Sequence, residues 1–149
     1  MENPSTFEGY SFVVTAPTEL PTFWGLVEPG LEEVRKKMKP GWEGVLVAGE
    51  IVTGRATLIV IYKEKQYVGF VVVKSIFPGV PTKHVLLVWV AYGGRKNQRI
   101  RDGMIQFVEA YGKALQCKEV TMETPRLGWG RVLTPYGWEL DAVKFTKEL

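Results

Sequence analysis

Cysteine and histidine are nearly absent from this sequence of 149 residues. The chain holds one of each, Cys117 and His84, so no disulfide can form within it and no cluster of these ligands is available for zinc. We therefore expect no structural metal. Cys117 stands between an amphipathic pattern and an apolar segment with no histidine nearby in sequence, which favours a buried, inert thiol over a nucleophile.

Long apolar runs and an export signal are also lacking. The longest apolar stretch, Val85 to Tyr92, is far shorter than the roughly 20 residues that a membrane-spanning helix needs. The opening residues, Met-Glu-Asn-Pro-Ser-Thr-Phe-Glu, carry acids and a proline where a secretory signal has basic residues before an apolar run. We expect a soluble, cytoplasmic protein.

A large excess of charge is missing as well. Charged residues make up 23% of the chain and its formal net charge is +3, which favours neither disorder by charge repulsion nor a polycation that coats nucleic acid. Hydrophobic residues make up 46%, enough to bury one substantial core. We expect a single domain over residues 1–149.

Strand and helix patterns alternate along the first half of the chain. Ser11–Ala16 is rich in β-forming residues and stops at a proline, which predicts a first strand. The next segment, Thr18–Met38, predicts one or two helices broken near Pro29-Gly30. Trp42–Thr53 combines Val and Ile, typical of strands, with acidic and small residues that suit a short helix, and we predict a helix.

Three strand signals follow, at Ala56–Tyr62, Tyr67–Phe77 and His84–Tyr92, and predict an antiparallel meander. The third is almost continuously apolar, which is typical of a strand covered on both faces in the middle of a sheet. Apolar residues at spacings of three and four then predict an amphipathic helix over Arg101–Gln116. The alternating segment Lys118–Thr124 predicts a strand parallel to the third, because a helix joins the two.

A shorter helical or turn segment and a last strand, Trp138–Thr146, complete the pattern. The elements together predict an α/β (α+β) fold, with a mixed central sheet of about six strands flanked by helices and a parallel strand-helix-strand unit in the C-terminal half. On the amphipathic helix, we expect four side chains to face the core: Met104, Val108, Tyr111 and Leu115.

The sequence from Val85 onward resembles the second half of a domain of the GNAT superfamily of N-acetyltransferases. The resemblance rests on an apolar strand, a basic loop with glycines over Gly93–Gly103, an amphipathic helix followed by Cys117, a further strand, and the pair Gly137-Trp138. The upstream strands and helices follow the same order, so the resemblance covers most of the chain. The segment from Arg126 to Trp138 also resembles small GNAT-like proteins encoded by bacteriophages.

Members of this superfamily bind the pyrophosphate of acetyl-CoA with backbone N–H groups at the start of the helix after the central strand. Their pattern there is Gln or Arg, two residues, Gly, one residue, then Gly or Ala. Gln98 and Gly103 match it, and Arg101 replaces the middle glycine. That arginine either crowds the approach of the backbone to the phosphate or adds its guanidinium to the site.

The resemblance implies that Gln98, Arg99, Arg101 and Gly103 hold the phosphates, while the backbone of Val88 to Val90 aligns the thioester arm. With Arg95 and Lys96, the two arginines make the loop basic, which fits either a docking surface for phosphates or a solvated turn. A nucleic-acid partner is less favoured, because the patch is small and most aromatic residues lie within apolar strands.

The resemblance also implies a proton donor for the departing thiolate, which in many members is a tyrosine four residues before the late Gly-aromatic pair. The matching residue is Leu133, and Tyr136 reaches the site only if the helix register differs. Glu119 and Glu123 on the penultimate strand are candidate general bases, although alternating acids on a strand are more often surface residues. His84, at the start of a strand, is a further candidate.

Trp129 stands between two glycines and is flanked by Arg126 and Arg131. It either walls a pocket for a substrate or partner, or seats a short helix against the sheet. We favour the packing role.

Two functions follow from the resemblance. The first is transfer of an acetyl group from acetyl-CoA to an amine by direct attack, which depends on positioning more than on covalent chemistry. The second is a non-catalytic binding protein of this fold, or a virion-associated component with protein partners in a phage particle. Leu133 at the acid position and Arg101 in the phosphate loop favour the second.

Overall fold

The computed structural model describes residues 6–38, 43–93, 97–123, 129–142 and 144–149. Strands and helices alternate largely as predicted. The strands are β1 (Thr6–Phe7), β2 (Tyr10–Val14), β3 (Thr57–Lys63), β4 (Gln66–Ile76), β5 (Val85–Gly93) and β6 (Glu119–Met122). The helices are α1 (Leu20–Met38), α2 (Gly44–Val52), α3 (Gln98–Ala114) and α4 (Trp129–Leu133), with short 3-10 turns at Pro17–Glu19 and Thr134–Tyr136.

The six strands form one sheet in the order β1-β2-β3-β4-β5-β6. Neighbouring strands are antiparallel from β1 to β5, whereas β5 and β6 are parallel. Helix α3 joins these last two strands, as a parallel pair requires. The predicted fold class, a mixed sheet of about six strands with a parallel strand-helix-strand unit, is confirmed.

Alternate side chains of the strands build a core on each face of the sheet. One core joins the sheet to α3, and its buried members include Phe12, Ile59, Val71, Leu86, Val88, Met104 and Phe107. The other joins it to α1 and α2, and its buried members include Val27, Leu31, Val47, Ile51, Leu58, Val60, Phe70 and Val90. Because both faces are covered, β3, β4 and β5 are almost continuously apolar.

Helix α1 runs without interruption through Pro29, so the predicted break near Pro29-Gly30 is wrong. A proline inside a helix removes one backbone hydrogen bond and normally kinks or ends it. Here Val27 and Leu31, on either side of the proline, are fully buried against the sheet. Their packing on both sides of Pro29 holds the two halves in one helix.

Helix α2 confirms the helix predicted over Trp42–Thr53. In α3, Met104 and Val108 are buried and Tyr111 is half-buried, as expected. Leu115 follows the last helical residue and is 36% exposed, so its predicted inward position is wrong. Among the described residues, no helix is both long and apolar enough to cross a bilayer.

The predicted last strand, Trp138–Thr146, is wrong for the part of it that the structure describes. These residues have no regular structure, and Leu140 and Phe145 are 86% and 92% exposed. A strand needs a partner for its backbone groups and cover for its apolar side chains, and neither is present for this segment in the described chain. Consequently β5 is the second strand from one end of the sheet, not its middle strand.

Candidate active site

Strands β5 and β6 pair over only part of their length. Their parallel register runs from Val85 beside Glu119 to Val88 beside Met122, where β6 ends. Strand β5 continues to Gly93, so the backbone edge of Trp89–Gly93 has no strand beside it on the β6 side within the described residues. Backbone N–H and C=O groups on that edge are available to a ligand that enters the opening.

A bulge in β5 lies at the start of this opening. Val88 pairs with Val73 and Val90 with Val72, which leaves Trp89 as the extra residue. The bulge changes the alternation of side chains: Val88 packs in the core beneath α3, and Val90 in the core beneath α1 and α2. The two valines predicted to align a thioester arm therefore flank the bulge, at the point where β5 leaves β6.

Helix α3 begins near this end of β5. Asn97 is its N-cap, and the Asn97 side chain accepts a hydrogen bond from the N–H of Arg99 at 3.1 Å. The Asn97 amide donates at 2.8 Å to the hydroxyl of Tyr10, which fixes the cap against β2. The remaining N–H groups of a first helical turn have no partner in the helix and carry the positive end of its dipole, which favours an anion there.

The predicted phosphate-binding side chains differ in what they contact. Gln98 is exposed and donates to Asp102 at 3.1 Å, and Arg99 is exposed. Arg101 is half-buried, and its Nε atom is buried without a hydrogen-bond partner among the described residues. A buried donor without a partner is costly unless a ligand or water satisfies it. The first turn of α3 thus fits a phosphate. The other two basic residues of the predicted loop, Arg95 and Lys96, lie outside the described residues.

Gly103 lies deeper in the helix than a phosphate-binding amide would. It is buried in the second turn of α3, where a Cβ atom would come within 3.2 Å of the carbonyl oxygen of Phe7 and 3.4 Å of the Phe12 ring. N–H groups beyond the first turn bond to carbonyls within the helix. The absence of a side chain at Gly103 therefore serves the close packing of α3 on β1 and β2.

A narrow apolar cleft runs beside the opening, between β5, β6 and α3. Its lining includes Val88, Ala91, Met104, Val108, Met122, Trp129 and Trp138. The free space is only about 10 Å³, roughly the room of one water molecule. Trp129 and Trp138 help to close the cleft, so in this conformation it does not fit the arm of a thioester cofactor. Trp129 is thus a wall of the cleft as well as a packing residue of α4.

The two candidate bases sit at opposite ends of β6. Glu119 begins the strand and forms an ion pair at 2.7 Å with Lys83, with both side chains 48% exposed. Glu123 follows Met122 directly and is exposed at the end where β5 and β6 separate. Within the described residues, Glu123 is therefore much better placed than Glu119 to meet a ligand in the opening. His84 precedes β5 at the same end as Glu119 and contacts Ser75 at 3.2 Å.

Tyr136 packs against α3. Burial raises the pKa of its hydroxyl, which also forms hydrogen bonds with Gln106 and Asp102 of that helix. A phenol is already protonated at neutral pH at its ordinary pKa, and the raised pKa makes this one a weaker acid. Leu133, the residue that the resemblance matches with a proton-donating tyrosine, ends α4 and has no proton to give. Cys117 is half-buried, and burial raises the pKa of its thiol, which disfavours the nucleophilic thiolate.

Several site residues were not predicted from the sequence. Asn97 has a recognisable signature, because an Asn directly before a helical pattern is a typical N-cap. Tyr92 of β5 donates to the Glu33 carboxylate at 2.9 Å on the face covered by α1, and no local pattern links those two residues. Among the described residues, no group of three His, Cys, Asp or Glu side chains could hold a metal ion.

No protein-family model and no curated protein matches this chain. Solved structures do match nearly all of it. A probable acetyltransferase aligns with a TM-score of 0.69 and 13% identity over 93% of this chain and 96% of its own. The ribosomal-protein-alanine N-acetyltransferase of Brucella melitensis biovar Abortus 2308 aligns with a TM-score of 0.68 and 12% identity over 94% and 99%. An aminoglycoside acetyltransferase from an uncultured soil metagenomic sample aligns with a TM-score of 0.67 and 16% identity over 95% and 97%. At such identities the likeness shows the fold alone.

Proposed function

We propose, from the premise that this chain has the fold of the GNAT acetyltransferases, that it transfers an acetyl group from acetyl-CoA to an amine. The observation that carries the proposal is the separation of β5 from β6 after Val88 and Met122, beside the first turn of α3. Free backbone groups of β5 thereby lie next to a helix terminus that favours anions. A thioester attached to a phosphorylated carrier needs both, the first for its arm and the second for its phosphates.

In the proposed reaction, acetyl-CoA supplies an activated acetyl thioester. The amine nitrogen forms a bond to the acetyl carbon, the carbon–sulfur bond breaks, and coenzyme A leaves as a thiol after taking up a proton. The first turn of α3 holds the phosphates, with Gln98, Arg99 and the buried Nε of Arg101, which has no partner within the described residues. The β5 backbone around Val88 and Val90 orients the thioester, so positioning supplies most of the rate.

Among the ionisable residues, Glu123 is the proposed general base, because it lies where the two parallel strands separate. Glu119 is the weaker candidate, since it is at the other end of β6 and already pairs with Lys83. Tyr136 is the proposed proton donor in place of the missing hydroxyl at Leu133, because its phenol carries a proton at neutral pH, and its raised pKa predicts only weak acid help. General acid or base help of this kind is worth roughly 10²–10⁴-fold.

The second candidate function is a non-catalytic binding protein, including the virion-associated component considered above. Two observations favour it: the cleft beside the opening has only about 10 Å³ of free space, and Leu133 cannot donate a proton. Under this alternative the chain releases no thiol from acetyl-CoA with any amine.

Calorimetry with coenzyme A and acetyl-CoA tests the proposal directly. We expect the full chain to bind both, and Arg101→Met to weaken binding without lowering thermal stability, since it removes a buried donor that has no partner in the part of the chain that the structure describes. Arg55→Met is the control for coenzyme A affinity only, because Arg55 precedes β3 at the end of the sheet away from the first turn of α3. Its melting temperature is not compared, since Arg55 pairs with Glu50. Release of free thiol with a panel of primary amines then separates an enzyme from a binding protein. Absence of binding at millimolar coenzyme A would exclude the acetyltransferase and leave the non-catalytic candidate.

A further inference from the structure

The side chain of Trp138 occupies the cleft between β5, β6 and α3. Its indole Nε1 donates a hydrogen bond to the Glu109 carboxylate of α3 at 2.9 Å, and its backbone N–H donates to the carbonyl of Leu133 at 3.3 Å. The ring is half-buried against the core beneath α3 and lines the cleft together with Met122 and Trp129. These contacts place an indole beside the bulged part of β5.

Trp138 follows a glycine in a left-handed turn and precedes a segment without regular structure. Gly137 has a φ of +84°, in the left-handed region, with open space where a Cβ atom would be. Every described residue after Trp138 is exposed, including the large apolar side chains of Leu140 and Phe145. Movement of the indole out of the cleft would break the hydrogen bonds of Trp138 to Glu109 and Leu133 but no pairing between strands.

We propose that Trp138 is a plug, which closes the cofactor cleft and must leave it before an acyl-CoA arm can bind. This inference rests on the proposed function. The reason is one of space: ligand sites commonly measure roughly 300–1,000 Å³, and this cleft offers about 10 Å³. The rest of the lining comes from strands β4, β5 and β6 and from helices α3 and α4, whereas Trp138 belongs to the segment without regular structure.

Glu109 is the positioning residue of the plug. Its hydrogen bond satisfies an indole N–H that would otherwise be partly buried without a partner, so it favours the closed state over the open one. When a ligand binds only the open state, its measured affinity falls in proportion to the open fraction. Loosening the plug should therefore tighten coenzyme A binding, whereas damage to an ordinary wall of a binding site weakens it.

The test compares coenzyme A affinity and thermal stability in the same variants of the full chain. Trp138→Ala should bind coenzyme A about tenfold more tightly, or more, because the open fraction approaches one. The same variant should melt at a lower temperature, since it leaves a cavity against the core. Glu109→Gln keeps the packed indole and weakens only its charged acceptor, so it should tighten binding by a smaller factor. Leu140→Ala, at a side chain 86% exposed, is the control and should change neither quantity.

Each outcome decides between a plug and another role for Trp138. Two results together support the plug. Trp138→Ala binds coenzyme A more tightly than wild type, and coenzyme A shifts the tryptophan emission of wild type to the red but not that of Trp138→Phe. Weaker or unchanged affinity in both Trp138→Ala and Glu109→Gln overturns it while leaving the acetyl-CoA proposal in place. If Trp138→Ala fails to fold, the Glu109→Gln result and the emission shift decide alone. If folded wild type and folded variants all fail to bind coenzyme A, the proposed function falls and the plug falls with it.

Discussion

Two glycines of α1 provide a sharp test of how this helix packs on the sheet. Gly25 is exposed, and a Cβ atom placed on it would meet nothing within 4 Å. Gly30 is buried, and its Cβ atom would lie 2.7 to 3.0 Å from three atoms of the Tyr92 ring. The ring has little freedom to move away, because it stacks on Phe70 at 5.7 Å and its hydroxyl is bonded to Glu33.

The two substitutions to alanine should change stability in opposite directions. Alanine in place of glycine inside a helix raises the free energy of unfolding by roughly 0.5–1 kcal/mol, and Gly25→Ala should show this gain. Gly30→Ala has the same gain but adds the cost of overpacking, roughly 1–3 kcal/mol, so we expect a net loss of about 1 kcal/mol. The difference of about 2 kcal/mol corresponds to roughly 4–8 °C in melting temperature for a chain of this size.

Urea denaturation of both variants measures the difference, provided that the slope of free energy against urea is unchanged. In a Tyr92→Ala background the cost of Gly30→Ala should disappear, because the ring atoms that it meets are gone. Equal stabilisation by Gly25→Ala and Gly30→Ala in the native background would refute the described contact between α1 and Tyr92.

Three further substitutions test other parts of the structure. Gly103→Val should destabilise the fold by roughly 1–3 kcal/mol in denaturation experiments, because the valine side chain would meet the Phe7 carbonyl. An unaffected fold with weakened coenzyme A binding would instead support a direct role of Gly103 in the phosphate site. The hydrogen bonds from Lys74 and Arg55 lower the pKa of Glu50, so this carboxylate stabilises the fold above its ordinary pKa of about 4.3 and loses that contribution as pH falls through the lower folded value. The stability difference between wild type and Glu50→Gln should accordingly be present at pH 7 and shrink below about pH 4, and a difference that grew with acid would contradict the ion pair. Leu133→Tyr should leave the rate of thiol release from acetyl-CoA unchanged or raise it by no more than roughly 10²–10⁴-fold. Turnover should rise with pH as the amine loses its proton. A clear drop in rate would count against a donor at this position.

The sequence by itself determined the kinds and order of most elements. Strands β3, β4 and β5 contain runs of β-branched and apolar residues, and α3 repeats apolar residues at helical spacing, so their local patterns agree with the structure that they adopt. The parallel pairing of β5 with β6 also followed from sequence, because a helix between two strands leaves few other connections. The resemblance to acetyltransferases was sufficient to predict the fold, whereas the ligand site that it implies stays a prediction.

Tertiary structure decided the features that depend on contacts between distant residues. The continuity of α1 through Pro29 comes from burial of Val27 and Leu31 against the sheet, which outweighs a local signal for a break. The packing role of Gly103 depends on the Phe7 carbonyl, far away in the sequence, although the local pattern matched a phosphate loop.

The same holds for the site and for the end of the chain. Trp138 and the residues after it have the composition of a strand, but a strand forms only where another strand accepts its hydrogen bonds, and no such partner lies beside the described part of this segment. The bulge at Trp89 and the point where β6 ends are set by pairing register, which a local pattern does not encode. Local residue patterns select helix or strand through short-range sterics and burial. The opening beside β5, and the cleft that Trp138 lines next to it, depend instead on which strands pair and where that pairing stops.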